Sequence, residues 1–229
     1  MKTPFVTHSL CACTIVCLCV GTPAMASFIG DVDGNSVTAT ANEAFLYSPA
    51  ASMVDGSAMS DNPVLKTSTN TNAWWFGSWL THVSSNPDYS NGWLLFTFAQ
   101  NTSLQEMVIW NLLSTETSAA YGRGMKTVAI TCSTGSDASG TGGATLFSGD
   151  LTQATWATGF GYTDDLIFPE VQNVKAVKIA YTSNYGGDGT GLSEVRFVGT
   201  LAAIPEPGSL FALGCLVGAG AFLRARPRY

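Results

Sequence analysis

Charged side chains are scarce in this sequence. Lys, Arg, Asp and Glu make up 11% of its 229 residues, too few for long surface helices, whose solvent face is normally rich in them. Histidine is scarcer still: beyond the first 26 residues only His82 occurs, so a Ser–His or Cys–His nucleophile pair has little to draw on. No Gly-x-Ser-x-Gly elbow is present. GTGG and GDGTG lack the lysine and helix context of a phosphate loop. Carboxylates are more numerous, but nothing in their spacing marks out two that face each other at the ~5–9.5 Å a glycosidase needs. The sequence therefore reads as non-catalytic.

Basic residues are few where they would matter for nucleic acid. Between Ser27 and Ile204 there are six, Lys66, Arg123, Lys126, Lys175, Lys178 and Arg196, against fifteen acidic residues, a balance of −9. A surface of that sign repels a phosphate backbone. It suits cations or uncharged glycans. Cysteine is also sparse in this interval. Cys11, Cys13, Cys17 and Cys19 fall in an N-terminal apolar run and Cys215 in a C-terminal one, leaving Cys132 alone. An intradomain disulfide is excluded, and no zinc site is indicated.

Glycine, by contrast, is abundant with 24 copies, and Ser, Thr and Asn crowd the middle of the chain. Short apolar or alternating runs stand between these turn-forming stretches. The expected strands are Val37–Ala41, Trp93–Phe98, Glu106–Leu112, Thr127–Cys132, Ala144–Ser148, Ala176–Thr182 and Glu194–Val198. Seven or eight strands at this spacing predict an all-β sandwich or jelly roll. Helical periodicity is confined to the two ends.

Those ends read as targeting segments. Residues 1–26 carry Lys2, an apolar run from Leu10 to Val20 and the small-x-small site Ala24-Met25-Ala26, the parts of a signal peptide cleaved after Ala26. The run is about half of the ~20 residues a membrane span needs. Residues 205–229 begin with Pro205-Glu206-Pro207, continue through an apolar stretch at 208–223 and end on Arg224, Arg226 and Arg228. The arginines predict a helix inserted with its C-terminus on the cytoplasmic side and the domain of residues 27–204 outside.

This order of parts resembles the PEP-CTERM sorting signal. The resemblance implies a Gram-negative-type bacterium that makes exopolysaccharide. It also implies an exosortase that recognises Pro205-Glu206-Pro207 and removes the helix, so that the membrane anchor is transient and the protein passes to the cell surface or extracellular matrix.

Within the domain, SPAASMVDGSA, WLLFTFAQNTSLQEMVIWN, GRGMKTVAITCSTG and VKAVKIAYTSNYGGDGTGLSEVRFVG follow one another as in the discoidin (coagulation-factor type C) and galactose-binding-like family. The chain resembles that family over residues 35–199, closing on Ser193 to Gly199. The resemblance implies an eight-stranded jelly roll and one structural Ca²⁺ held by Asp55 and Glu194, with Ser57, Asp61 or main-chain oxygens nearby. Ca²⁺ takes 6–8 oxygen ligands, often including turn carbonyls. A second reading is open, in which Asp55 caps its own turn and Glu194 forms an ion pair. Asp31-Val32-Asp33-Gly34-Asn35 starts like an EF-hand loop, but Ser36 and Asn42 stand where Gly and the bidentate Glu belong, so it reads as a polar turn.

Sugar sites in β-sandwich modules combine an aromatic platform with fork-like polar donors. Trp74, Trp75 and Trp79 with His82 supply both in one segment, and Arg123, Asn184 and Tyr185 lie in other loops. Trp79 also fits a structural role, and Asn184-Tyr185-Gly186-Gly187 also fits a turn. Two functions follow: recognition of a carbohydrate such as the cell's own exopolysaccharide, or a structural matrix protein without a selective ligand.

Overall fold

The computed structural model describes residues 27–29, 37–42, 50–54, 56, 59, 79–80, 92–112, 122–155 and 163–201. The expected signal peptide, the expected sorting tail with Pro205, Glu206, Pro207, Arg224, Arg226 and Arg228, and Asp55, Trp74, Trp75 and His82 lie outside the described residues. Those described form β1 (Ser27–Ile29), β2 (Val37–Ala41), a 3-10 turn (Ala50–Met53), β3 (Trp79–Leu80), β4 (Gly92–Asn111), β5 (Thr127–Thr134), β6 (Thr145–Asp150), β7 (Asp164–Tyr181) and β8 (Gly191–Leu201). All pairings between strands are antiparallel.

The frame is a long ribbon of β4 and β7 that serves two sheets. Its first half pairs Gly92–Thr97 with Ala176–Tyr181. On that half β2 joins the free edge of β4, while β5 and then β6 extend from β7. Its second half pairs Thr102–Ile109 with Asp164–Val174. There β8 joins β4, and both β1 and β3 lie along the far edge of β8. The halves face each other: Phe96 and Phe98 from the first meet Phe197 from the second edge-on, with ring centroids 5.3 and 5.1 Å apart.

Alternation explains which side chains fill the gap. Successive strand residues point to opposite faces, so Leu94, Phe96 and Phe98 of β4, Val128, Ile130 and Cys132 of β5, and Val177 and Ile179 of β7 are all buried in one core. Met107, Ile109, Val195 and Phe197 close it from the other sheet, with Met53 of the 3-10 turn alongside. Full burial of each such side chain contributes about 1.5–3 kcal/mol. Cys132 sits in this core as a small apolar residue, and burial raises its thiol above the ordinary range.

The ribbon changes sheets at an irregular register. Phe98–Asn101 of β4 stand against Lys175 alone of β7, between the Thr97/Ala176 and Thr102/Val174 pairs. Surplus residues of this kind bend a strand and strand its carbonyls. Lys175 meets them, its Nζ donating to the carbonyls of Phe98 (2.6 Å) and Ala99 (3.1 Å). Lys175→Met keeps the stem but leaves both carbonyls unmet. The expected loss is about 1–2 kcal/mol, discounted for partial exposure, and a thermal melt should show it as a drop of several degrees. An unchanged melt would mean that water replaces the ammonium at no cost.

Two expectations need correction in extent. The segments foreseen as separate strands, 93–98 and 106–112, are one continuous β4, because Asn101-Thr102-Ser103 runs on through the bend. β7 begins at Asp164, twelve residues before the expected Ala176. Its first half includes Pro169, which lacks the N–H that an inner strand must donate; here it occupies a half-strand that pairs on one side only among the described residues.

The topology also separates two ends. β1 lies beside β8 at Ser27/Gly199, and β8 finishes at Leu201 opposite Thr102, by the bend. The chain joins and leaves the sandwich there. Loops 122–126, 151–155 and 182–190 gather at the opposite end, where β5 and β8 begin and β6 and β7 finish.

Candidate functional site: the loop end

Asn111, the last residue of β4, organises the loop end. It is 3% exposed, and every hydrogen-bonding position of its amide is used. Nδ2 donates to the carbonyls of Met125 (2.7 Å) and Thr152 (2.9 Å), while Oδ1 accepts from the N–H groups of Leu112 (2.9 Å) and Met125 (2.8 Å). Its main-chain N–H donates to Thr163 Oγ1 at 3.1 Å. One side chain thus ties the 122–126 and 151–155 segments to the end of β4. Sequence reasoning missed it, since an Asn at a strand end looks like any turn former until its distant partners are known.

On this base, segment 122–124 packs against 185–187 with almost no space between backbones. A Cβ on Gly122 would lie 2.4 Å from the Tyr185 carbonyl oxygen, and one on Gly187 would lie 2.6 Å from the Arg123 nitrogen. Glycine at both positions permits the contact. It is sealed by Tyr185 N–H to Gly122 O (2.9 Å), Gly187 N–H to Gly122 O (3.2 Å) and Gly191 N–H to Arg123 O (2.8 Å).

Three of the expected ligand-binding residues therefore share one end. Arg123 donates through Nε to Asp188 Oδ1 at 2.5 Å, with the side chains 15% and 22% exposed. This fixes the plane of the guanidinium while the ion pair engages only one edge of its donor fork. Asp188 was not foreseen. Asn184 turns its amide into its own loop, with Nδ2 donating to Gly187 O (2.9 Å) and Gly189 O (2.6 Å) and Oδ1 accepting from Gly186 N–H (2.8 Å). Its described contacts are those of the turn reading. Tyr185 donates its hydroxyl to the Leu151 carbonyl, and the Lys126 ammonium lies 5.7 Å from the centre of its ring. Trp79 pairs with Leu192 at the start of β8, which sets its strand position at this same end.

The local field is negative. Lys126 Nζ is 3.8 Å from Asp150, and both oxygens of Asp164 accept the Thr152 N–H at 3.0 Å. The Tyr185 hydroxyl titrates above its ordinary value of 10.0, first through burial and then through repulsion from Asp150 and Asp164. A raised tyrosine keeps its proton longer when folded. Its contribution is intact below pH 10 and is lost as pH rises through the folded value. Tyr185→Phe is accordingly expected to flatten the alkaline limb of stability against pH measured by urea unfolding; a limb as steep as the wild type would place the titrating group elsewhere.

Glu194 lies elsewhere. Val108, Trp110, Glu194 and Arg196 share the face of the second sheet turned away from the core, as the pairs Val108/Arg196 and Trp110/Glu194 require. Glu194 and Arg196 are each 1% exposed. Arg196 Nε donates to Glu194 Oε1 at 3.2 Å, and its guanidinium lies 5.1 Å from the Trp110 ring centre. Of the expected calcium pair, Asp55 is outside the described residues. One oxygen of Glu194 is engaged by the Arg196 Nε–H.

Solved structures with the same architecture are numerous. The family 32 CBM of Clostridium perfringens NanJ, in complex with galactose, aligns at a TM-score of 0.52 and 12% identity over 76% of this chain and 99% of that one. The CBM32-5 module of a second C. perfringens protein, in complex with GalNAc-beta-1,3-galactose, aligns at 0.51 and 12% over 75% and 99%. An F5/8 type C domain from Bacteroides fragilis aligns at 0.50 and 15% over 79% and 100%. The fold is a discoidin-like jelly roll. At these identities the likeness establishes the architecture alone. No protein-family profile matches the chain, and no curated relative does.

Proposed function

We propose that this discoidin-like domain is a non-catalytic carbohydrate-binding module carried by an exported bacterial protein, and that its loop end is the binding face. The observation that carries the reading is the convergence of Arg123, Asn184 and Tyr185, from separate stretches of sequence, at one end of a fold shared with modules solved on galactose and GalNAc-beta-1,3-galactose. Arg123, clamped through Nε, presents its remaining donors to sugar hydroxyls. Asn184 and the paired glycines hold the loop that positions it. Trp74, Trp75 and Trp79 supply the apolar platform in this proposal, and His82 a further polar group.

Export rests on the signal peptide of residues 1–26 and the tail of residues 205–229. An exosortase removes that tail after transient anchoring in the inner membrane. The exit of the chain by the bend supports an arrangement in which the loops point away from the anchor. The host's exopolysaccharide is the proposed partner. The test is a glycan array probed with the full chain in mild detergent. Selective binding to a defined set of sugars supports the module; a folded chain that binds neither the array nor the host's own polysaccharide would move the assignment to a structural matrix protein.

A further inference from the structure

We propose a second ligand surface, on the outer face of the first sheet, where a trough beside Trp93 takes an acidic sugar of a polysaccharide chain. It is independent of the loop end. Trp93 is a large aromatic residue of β4 that the core does not use. Leu94 and Phe96 point inward and are fully buried, so alternation turns Trp93 to the opposite face, where it is half-buried. Its neighbours across the sheet are small. The register sets Trp93 beside Ala180, Ala180 beside Ala129 and Ala129 beside Ser148, with Ala129 and Ser148 exposed. An indole thus stands at one end of a floor made by two alanines and a serine.

The loop between β5 and β6 walls this floor on one side. Gly140, at a φ of 70°, folds back over the adjoining row of Leu95, Lys178 and Thr131. A Cβ there would lie 2.7 Å from Lys178 Cβ and 2.8 Å from Leu95 Cδ1, so glycine permits the contact. Thr131 Oγ1 donates to the Gly140 carbonyl at 2.7 Å, and the Gly140 N–H donates to Ser133 Oγ at 3.0 Å. The loop therefore rests on the stem of Lys178 and confines it. The Lys178 ammonium reaches the open row, 5.4 Å from the centre of the Trp93 ring.

Charge decides what the trough takes. Arg123, Lys126 and Arg196 each have a carboxylate beside them, and Lys175 meets two carbonyls. Among the described residues, Lys178 is the cation held by an aromatic ring alone. A ring attracts an ammonium without neutralising it, so the charge and the N–H donors stay open to an anion. The rest of the interval Ser27–Ile204 is acidic, with fifteen acidic residues against six basic. An anionic polymer is therefore repelled over most of the surface and steered to this exception. A sugar over Ala180 and Ala129 sets its C–H face against the indole and its carboxylate or sulfate on the Lys178 ammonium. Its hydroxyls come within reach of Ser148. Beyond β6 no further strand follows among the described residues, so a chain can run on across the sheet.

The test is frontal affinity chromatography of the full chain, in mild detergent, on immobilised polygalacturonate, dextran sulfate and plain dextran at low and high salt. Salt-sensitive retention on one or both acidic columns is the expected result, and the column that retains identifies the anionic group. Lys178→Gln and the charge-neutral Trp93→Leu should each weaken retention by on the order of ten-fold, while Lys178→Arg preserves it. Ala129→Glu adds a carboxylate to the floor at an exposed position. It should abolish retention with the melting temperature within a few degrees of the wild type. A folded chain retained by neither acidic column overturns the proposal, as does plain dextran retaining it as strongly as the acidic polymers. Retention that survives both Lys178→Gln and Ala129→Glu also overturns it, and retention that falls only in Arg123→Lys would put the acidic polymer at the loop end instead.

Discussion

Replacing Asn111 with alanine is expected to destabilise the domain by about 3–5 kcal/mol, lowering the melting temperature by on the order of 10 °C. The size comes from what the substitution leaves behind. Three main-chain groups, the carbonyls of Met125 and Thr152 and the N–H of Leu112, lose the bond that Asn111 gives them, and the Met125 N–H is left with its longer bond to the Gly191 carbonyl (3.3 Å), around a side chain that is 3% exposed. Each buried group left unmet costs about 1–3 kcal/mol, reduced where water can enter. Asn111→Asp separates hydrogen bonding from size. It keeps the acceptor side but surrenders both donors and sets a carboxylate against two carbonyl oxygens, so it should be no better than alanine. Either variant melting within a degree or two of the wild type would mean that the loops are held by their own contacts instead.

Breaking the Glu194–Arg196 pair should cost a comparable amount. Arg196→Met leaves a carboxylate that is 1% exposed without its guanidinium, and removing one partner of a buried pair typically costs about 3–5 kcal/mol. Removing both charges is a different matter. Glu194→Leu with Arg196→Met removes both charges together and is expected to be less destabilising than Arg196→Met alone. The same melts address calcium. With Glu194 already balanced internally, the full chain should melt at one temperature in calcium and in chelator. A rise of several degrees with calcium, abolished in Glu194→Gln, would instead assign Glu194 to a metal.

Much of the architecture was legible because it depends on period-2 burial, which sequence displays directly. β2 matches its expected span of Val37–Ala41, and the runs in β5, β6 and β8 were found with ends off by a few residues. What escaped depends on distant partners. Asn101-Thr102-Ser103 reads as a loop because nothing local shows that Lys175, far along the chain, will meet the carbonyls just before it. The first half of β7 was lost to Pro169, whose tolerance follows only from its pairing on one side among the described residues. At the site, Gly-flanked Arg123 and the Asn184-Tyr185-Gly186-Gly187 stretch stood out as loop residues. That Arg123 would be clamped by Asp188, or Asn184 spent on its own turn, could not be read, because both contacts arise from the seating of two loops at Gly122 and Gly187.

The central claim is that the loop end binds sugar through the open edge of Arg123, and its most direct test is calorimetric titration of the full chain and its Arg123→Lys variant with a glycan selected on the array. Lysine keeps the charge that faces Asp188 but has no planar fork. The account predicts binding by the wild type and a loss on the order of ten-fold or more in the variant, with the melting temperature changed by no more than a few degrees. Equal affinity in the two proteins would contradict it and place recognition elsewhere on the sandwich.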